Sequence, residues 1–355
     1  MSNWRPLVGT TVIDLTRMLP GGTATMLLAD LGARVIKVER PGDLDATRYL
    51  APRVGPDSSV QHQYLDRGKE SVELDLRDDG DRARLLELVA GADAIIDSFR
   101  PGVMARLGLG PDVLLTANPE ITAVSLSGYG QNGPRADFAG HDLNFVGRAG
   151  LLSPGTKIPE VFAADLGGGL LAALAIAAGV ARARVEGRGG VVDLALADAA
   201  MVIGGMSIAQ ELGAATLAEE VRTPLDGFSP CYAVYRTSDD GRIAVAAVEP
   251  KFWLTTVELL GHPEWAARQT DPALVADMQD LFATNTLEYW TSLLERPDTC
   301  VTAVNSVRDL PKDAQHAARG ALLDHPSPAG PLPQVASPFR DLTPDVPPQP
   351  GQETR

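Results

Sequence analysis

Apolar runs and amphipathic stretches alternate along the first half of the chain. The run TVIDL is followed by a Pro-Gly-Gly turn, by the helical stretch TATMLLADLGA ending near Gly32, and by a second apolar run, RVIKVE. A β-branched run, a helix and another such run form a βαβ unit. The alternation returns in SVELDL, DRARLLELVAGA, AIIDSF, PGVMARLGLG, EITAVSLSG and GGVVDLAL. It predicts a large, Rossmann-like, doubly wound α/β domain whose parallel sheet is covered by helices on both faces.

The pattern changes after the helix predicted around residues 198–213. Residues 213–226 lack hydrophobic periodicity and are interpreted as a linker between the large domain, 1–212, and a smaller α+β domain, 227–325. The smaller domain opens with two strands, YAVYRT and RIAVAAVE, and continues mostly as helices. Segment 326–355 is rich in proline, so we expect it to return in extended form across another surface of the protein.

Composition and charge narrow the possible partners. The net charge is −15 over 355 residues, and this acidity argues against a nucleic-acid partner, because neutralising phosphates takes clustered cations in excess. Cys231 and Cys300 are too few for a disulfide framework or a zinc site, as expected in a reducing cytosol. The N-terminal stretch resembles no signal peptide, which favours a cytoplasmic location. The longest apolar run, 166–181, is shorter than the roughly 20 residues of a membrane span and is interpreted as a buried helix.

Three residues are candidates for acid–base chemistry: His141 in AGHDLN, Asp165 in FAADLGGG and Glu249 in VAAVEPKFW. Each has a structural alternative, namely a loop-anchoring histidine, a helix N-cap and a solvated strand end. The three glycines that follow Asp165 favour a ligand, since an N-cap needs none of them but a close approach to the backbone does. Glu249 is suited to fixing one tautomer of an imidazole.

Cations gather in the large domain despite the acidity of the chain. This grouping favours a ligand with phosphate or pyrophosphate groups, although scattered surface cations are the alternative. The cations are Arg34, Lys37, Arg40, Arg67, Lys69, Arg100 and Arg106. Glu39 ends the second strand where a ribose-binding acid would lie, but the G-x-G-x-x-G fingerprint is absent, which argues against a nicotinamide cofactor.

Several long motifs resemble the alpha-methylacyl-CoA racemases, which belong to the family III CoA-transferases. They are LLADLGARVIKVERPGD, DRGKESVELDL, FRPGVMARLGLGP, SGYGQNGPRADFAGHDLN, ADLGGG and YRTSDDGRIAVAAVEPKFW, in the family's order and spread over residues 7–253. Transferases of this family use an aspartate at the position of Asp165 as a nucleophile. Racemases pair it with a histidine and support that histidine with a glutamate, which correspond to His141 and Glu249.

The resemblance implies that the large domain binds CoA and that His141 and Asp165 invert the α carbon of a 2-methylacyl-CoA by moving a proton between its two faces. Backbone N–H groups at the Asp165–Gly169 helix start are expected to stabilise the enolate oxygen. The implied CoA-binding cations are Lys37, Arg40, Lys69, Arg100 and Arg106. No metal, flavin or nicotinamide is implied, because CoA is part of the substrate, and an interlocked homodimer is expected.

Two alternatives stay open at this point. One is a CoA-transferase with Asp165 as the covalent nucleophile, and the other is a non-catalytic acyl-CoA-binding subunit. The chain also departs from the racemase pattern, because the segment between His141 and Asp165 is short, Asp66 replaces a usual asparagine and Glu70 a common basic residue. These departures affect the expected pocket shape and acyl preference.

Overall fold

The computed structural model describes residues 4–152, 160–219, 225 and 227–342, and the chain divides into two compact units. The first unit combines the residues up to Gln210 with those from Gly320 onward, and the second runs from Glu211 to Arg319. The boundary falls inside a helix that continues to Leu217, so the first residues of the predicted linker are helical. Most of the remaining linker and the end of the return segment lie outside the described residues.

A six-stranded sheet, parallel throughout, forms the centre of the first unit. The strands of this unit up to residue 195 are β1 (Thr11–Leu15), β2 (Arg34–Glu39), β3 (Arg53–Gly55), β4 (Ser58–Ser59), β5 (Lys69–Glu73), β6 (Ala94–Asp97), β7 (Thr122–Ser127) and β8 (Gly190–Ala195). The sheet order is β5-β2-β1-β6-β7-β8, and β3 pairs with β4 apart from it. This is the strand order of a doubly wound nucleotide-binding fold, so the predicted fold class is confirmed.

Helices cover both faces of the sheet. They are α1 (Met18–Asp30), α2 (Val60–Leu65), α3 (Asp79–Ala90), α4 (Val103–Arg106), α5 (Pro111–Ala117), α6 (Asp142–Arg148), α7 (Ala163–Glu186), α8 (Leu196–Ile203) and α9 (Gly205–Leu217). Neighbouring residues of one strand point to opposite faces: Val12 packs in the core beneath α1 and α7, whereas Ile13 packs in the core beneath α3 and α5. Both faces are therefore buried, which explains the continuous apolar runs of the sequence.

Helix α7 is longer than its apolar run suggests. By length and composition it could cross a membrane, and α8 with α9 form a second, bent candidate among the described residues. In α7, Ala172, Ile176 and Val180 are buried in the core that also contains Val12 of the sheet and Ala24 of α1. This packing is that of a core helix in a layered α/β domain.

The second unit has a core of its own around Tyr235, Trp253, Phe282 and Trp290. Its elements are β9 (Tyr232–Arg236), β10 (Arg242–Ala246), α10 (Pro250–Leu259), α11 (Leu274–Phe282), α12 (Leu287–Leu294), β11 (Val301–Ala303) and α13 (Ala314–Arg319). The three strands form an antiparallel sheet in the order β11-β10-β9. The third strand was not predicted from the sequence.

The chain then returns to the first unit as an antiparallel hairpin, β12 (Leu322–His325) and β13 (Leu332–Val335). Arg67 Nη1 donates to the carbonyl of Val335 at 2.9 Å, and the rings of Trp4 and Phe339 lie 6.3 Å apart. The described part of the return segment is therefore anchored on the first unit.

Candidate functional site

The order of the sheet reverses between β1 and β6, and two cavities open beside the carboxyl ends of these strands. Ligands of doubly wound sheets bind at such a reversal, because the connections leave the sheet in opposite directions and open a crevice. The backbone N–H of Arg17, after β1, donates to Ser98 Oγ, after β6, at 3.1 Å. Arg17 and Phe99 line both the larger cavity, of about 610 Å³, and the smaller cavity, of about 350 Å³.

The larger cavity brings together His141, Asp165 and Arg100, which were predicted from the sequence, with Met18, the first residue of α1. His141 immediately precedes α6, and its backbone N–H donates to Asn144 Oδ1 at 3.0 Å. This side-chain cap fixes the backbone of the loop. His141 itself is exposed.

Asp142 ties the histidine loop to the helix that carries Asp165. One of its carboxylate oxygens accepts the backbone N–H groups of Ala164 and Asp165, at 2.7 and 3.0 Å. It therefore caps the start of α7 from another segment of the chain. The prediction that backbone N–H groups at this helix start stabilise the enolate oxygen is therefore corrected for Asp165 and Leu166. Asp142 already accepts the Asp165 N–H, and the Phe162 carbonyl accepts the Leu166 N–H.

The pKa of Asp165 lies well above that of an ordinary aspartate. Burial, together with repulsion from the Asp142 carboxylate, raises the pKa of Asp165 to about 6, although His141 opposes the shift. A group with a pKa near 6 takes up and releases protons readily around neutral pH, as a general acid and base must. Asp97 also has a pKa raised to about 6 by burial, but it does not line the larger cavity.

The three glycines after Asp165 serve helix packing rather than ligand access. A Cβ on Gly168 would lie 2.3 Å from Leu196 of α8, and one on Gly169 would lie 2.6 Å from the Pro20 carbonyl of α1. Only glycine lets α7 approach its neighbours this closely. The sequence argument that the glycines admit a ligand is therefore wrong, although Asp165 itself does line the larger cavity.

Lys37 and Lys69 are internal counter-ions. The Lys37 ammonium is 2.7 Å from Asp45 and 3.1 Å from Asp66, and the Lys69 ammonium is 3.2 Å from Asp14 and 3.0 Å from Asp66. Both lysine side chains are at most 3% exposed. Because their charges are already matched by buried carboxylates, this arrangement opposes their predicted direct contact with CoA phosphates.

The three predicted arginines are exposed. Arg40 lines the smaller cavity, Arg100 lines the larger cavity, and Arg106 lies at the end of α4. Arg17 and Arg77 also line the smaller cavity and were not predicted. Their positions directly after β1 and after β5 could have indicated them, since the carboxyl ends of parallel strands meet at one edge.

Glu249 belongs to the second unit, where it precedes α10 and is exposed. Its carbonyl accepts the N–H groups of Phe252 and Trp253. Its side chain has no hydrogen-bond partner among the described residues, so the support that it gives to His141 stays a prediction. No cluster of three or more His, Cys, Asp or Glu side chains within the described ranges is arranged to hold a metal ion.

Comparison with known proteins places this chain in a family. The model of CoA-transferase family III matches residues 7–354. Human alpha-methylacyl-CoA racemase is 32% identical over 329 residues, covering 89% of this chain and 82% of the racemase. Acetyl-CoA:oxalate CoA-transferase of Acetobacter aceti is 31% identical over 346 residues, covering 90% of this chain and 85% of the transferase.

Solved structures agree with the sequence comparison. The crystal structure of Rv3272 from M. tuberculosis has a TM-score of 0.80 at 28% identity, covering 96% of this chain and 94% of that one. A CAIB/BAIF family protein from Brucella suis has a TM-score of 0.79 at 27% identity, covering 96% and 93%. The chain therefore belongs to CoA-transferase family III and is an enzyme of the class that contains its transferases and racemases.

Proposed function

We propose that the enzyme inverts the α carbon of 2-methyl-branched acyl-CoA thioesters. The observation that carries this proposal is that His141 and Asp165 line one cavity and that the pKa of Asp165 is raised to about 6. Inversion needs one base on each face of the carbon, and each base must be able to return its proton as an acid. A second base in the same cavity has no evident use in a simple transfer of CoA between two acids.

The proposed reaction proceeds by two proton transfers. One of the pair, for example the Asp165 carboxylate, removes the α proton, and the electrons move into the thioester carbonyl to form an enolate. His141 in its protonated form then delivers a proton to the opposite face, and the thioester carbonyl is restored. The thioester bond stays intact throughout, and the pair exchanges roles in the reverse direction.

The CoA portion is proposed to occupy the smaller cavity. Its apolar wall, which includes Leu76, Phe99 and Val103, suits a flat adenine ring, and Arg17 and Arg40 at the rim suit phosphates. Arg17 lines both cavities, so a pantetheine arm passing it reaches from the smaller cavity to the larger. Arg40, Arg100 and Arg106 are kept as proposed phosphate contacts.

The second candidate is a CoA-transferase in which Asp165 attacks the thioester and becomes a mixed anhydride. The oxalate CoA-transferase matches this chain about as well as the racemase does, at 31% against 32% identity. Deuterated water separates the two. With a 2-methylacyl-CoA and no free acid, the proposed racemase incorporates deuterium at the α carbon while the thioester stays intact.

The matched control is His141→Ala, which should bind the thioester but lose inversion. The racemase proposal is abandoned if the α carbon of a panel of branched thioesters stays fully protonated while hydroxylamine traps Asp165 as its hydroxamate. Glu249 is proposed to support His141, so Glu249→Gln should reduce turnover less than His141→Ala does. An equal loss would make Glu249 a primary acid or base.

A homodimer is also proposed. The first unit exposes a group of large apolar side chains, and an exposed apolar group of this size is typical of a protein–protein interface. They are Leu170 and Leu174 of α7, Met201, Val202 and Ile203 of α8, and Met206 of α9, each at least 49% exposed. A second copy of the chain is the proposed cover, and sedimentation equilibrium should give twice the chain mass.

A further inference from the structure

The short loop after β1 leads into Met18, the first residue of α1, where the backbone is held in a strained conformation. Met18 has φ +64°, in the left-handed region that side chains with a Cβ rarely adopt. Such a conformation persists only where surrounding contacts impose it. Met18 is also 41% exposed and lines the larger cavity together with His141 and Asp165.

The contact that imposes this conformation is a buried carboxylate. The Met18 N–H donates to Asp45 Oδ2 at 3.1 Å, and the same oxygen accepts the Lys37 ammonium at 2.7 Å. The other oxygen of Asp45 caps Thr47 through both its N–H and its hydroxyl. Asp45 is 1% exposed and Lys37 is 3% exposed, so the acceptor under Met18 is rigid.

The residues on the N-terminal side of Met18 are fixed in the same way. Asp14 Oδ1 accepts the N–H of Thr16 at 2.8 Å, and Asp14 Oδ2 faces the Lys69 ammonium at 3.2 Å. Asp66 joins the two lysines. The buried charges whose sequence pattern suggested CoA binding therefore form the support of this loop.

We propose that Met18 is a specificity-determining residue whose thioether forms the wall of the larger cavity against the substituent on the α carbon. Asp45 and Lys37 are the residues that position Met18. The proposal rests on the proposed acyl-CoA function. A rigid, left-handed backbone gives the Met18 side chain one direction, and an unbranched thioether at that point limits the size of the group beside the reacting carbon.

The test compares Met18→Ala, Met18→Leu and the parent with a 2-methylacyl-CoA and the 2-ethylacyl-CoA of the same chain length. The measured quantity is the ratio of kcat/KM values for α-deuterium exchange. Met18→Ala is expected to shift this ratio about tenfold toward the larger substituent, whereas Met18→Leu keeps it within about twofold. The Kd of free CoA stays unchanged in both, because the smaller cavity is intact.

Two further variants examine the support. Asp45→Asn leaves one acceptor oxygen for the donors of Met18 and Lys37 on one side and of Thr47 on the other. It is therefore expected to shift the ratio of kcat/KM values as Met18→Ala does. Combining Asp45→Asn with Met18→Ala should shift the ratio no further. Met18→Gly is expected to unfold at a temperature roughly 2–4 °C above that of Met18→Ala, because glycine adopts positive φ without strain. This reverses the usual order of glycine and alanine at a helix start.

The outcomes separate the two proposals. Absence of α-deuterium exchange in the parent with both substrates overturns the proposed function. Exchange in the parent with an unchanged ratio in Met18→Ala overturns the role of Met18. Should Asp45→Asn fail to fold, the Met18→Gly and Met18→Ala melting temperatures decide the backbone claim, and a lower value for Met18→Gly contradicts it.

Discussion

Asp45 and Asp165 belong to the same unit, yet their surroundings drive their protonation in opposite directions. Burial opposes the charge of Asp45, but the Lys37 ammonium overcomes it and lowers the pKa of Asp45 to about 2. Asp165 is also partly buried, but the nearby carboxylate of Asp142 adds to the burial, and its pKa rises to about 6. A buried cation makes a carboxylate a fixed support, whereas a second carboxylate leaves it ready to exchange protons.

The largest effect is expected at Asp165. Asp165→Asn should reduce α-deuterium exchange by about 10³-fold, in the range that general acid–base groups contribute. Asp97→Asn is the matched control, because the pKa of Asp97 is also raised to about 6 by burial but its side chain is bonded to Phe99 N–H and Ser125. Its loss should stay under about tenfold, since proton transfer depends on the cavity as well as on the pKa. Equal losses of exchange in Asp165→Asn and Asp97→Asn would show that the position of Asp165 in the larger cavity does not distinguish it from Asp97.

The buried ion pairs of Lys37 with Asp45 and Asp66 are expected to stabilise the fold. Lys37→Met leaves Asp45 and Asp66 without their shared cation, so the free energy of unfolding should fall by about 3–5 kcal/mol, measured in urea. Arg34→Met is the control, because the Arg34–Glu70 pair has a similar distance of 2.7 Å but is more than half exposed. Its loss should leave the free energy of unfolding nearly unchanged, because water and salt screen an exposed ion pair. Similar costs for the two variants would contradict the role of Lys37 as a buried counter-ion.

The exposed arginines are expected to act on affinity rather than on stability. Arg100→Glu combined with Arg106→Glu should raise the Kd of CoA by about 10–100-fold at low salt, because charge reversal replaces attraction with repulsion. Arg188→Glu serves as the control, since Arg188 is an exposed arginine paired with Glu186 at the far end of α7. Unaltered CoA binding in the double variant would remove both arginines from the proposed site.

The smallest effect is a shift in pH dependence at Asp142. Asp142→Asn keeps an oxygen that can accept the N–H groups of Ala164 and Asp165 but removes the negative charge. The pKa of Asp165 should then fall from about 6 toward its ordinary range. In the direction where Asp165 removes the proton, the acid limb of kcat/KM should move to lower pH by roughly half a unit to one unit. Movement to higher pH would show that Asp142 does not repel Asp165.

Much of the fold was predictable because its central strands are continuous apolar runs. β1 and β2 have the predicted bounds, and β6, β7 and β8 lie within their predicted segments. The helix predicted around 198–213 is instead two helices that break at Gly204, where a Cβ would lie 2.2 Å from Leu151. A close contact with a residue about fifty positions away cannot be found from local periodicity.

The site was predictable only in part. The motifs identified His141 and Asp165, but not the bond from Asp142 that joins their segments. The lysines were assigned to CoA because a cation in a sequence shows neither its burial nor its partner. Lys37 lies inside a strand that is buried on both faces, and its partner Asp45 is fixed only by the folded loop.

Asp165 is expected to titrate near neutrality because of its surroundings, and carboxyl ¹³C NMR of aspartate-labelled protein measures this titration. The resonance absent from Asp165→Asn identifies Asp165. This resonance should titrate with a midpoint near pH 6 in the parent and at lower pH in Asp142→Asn. A midpoint near the ordinary aspartate value of about 3.9 in the parent would show that the surroundings of Asp165 do not raise its pKa.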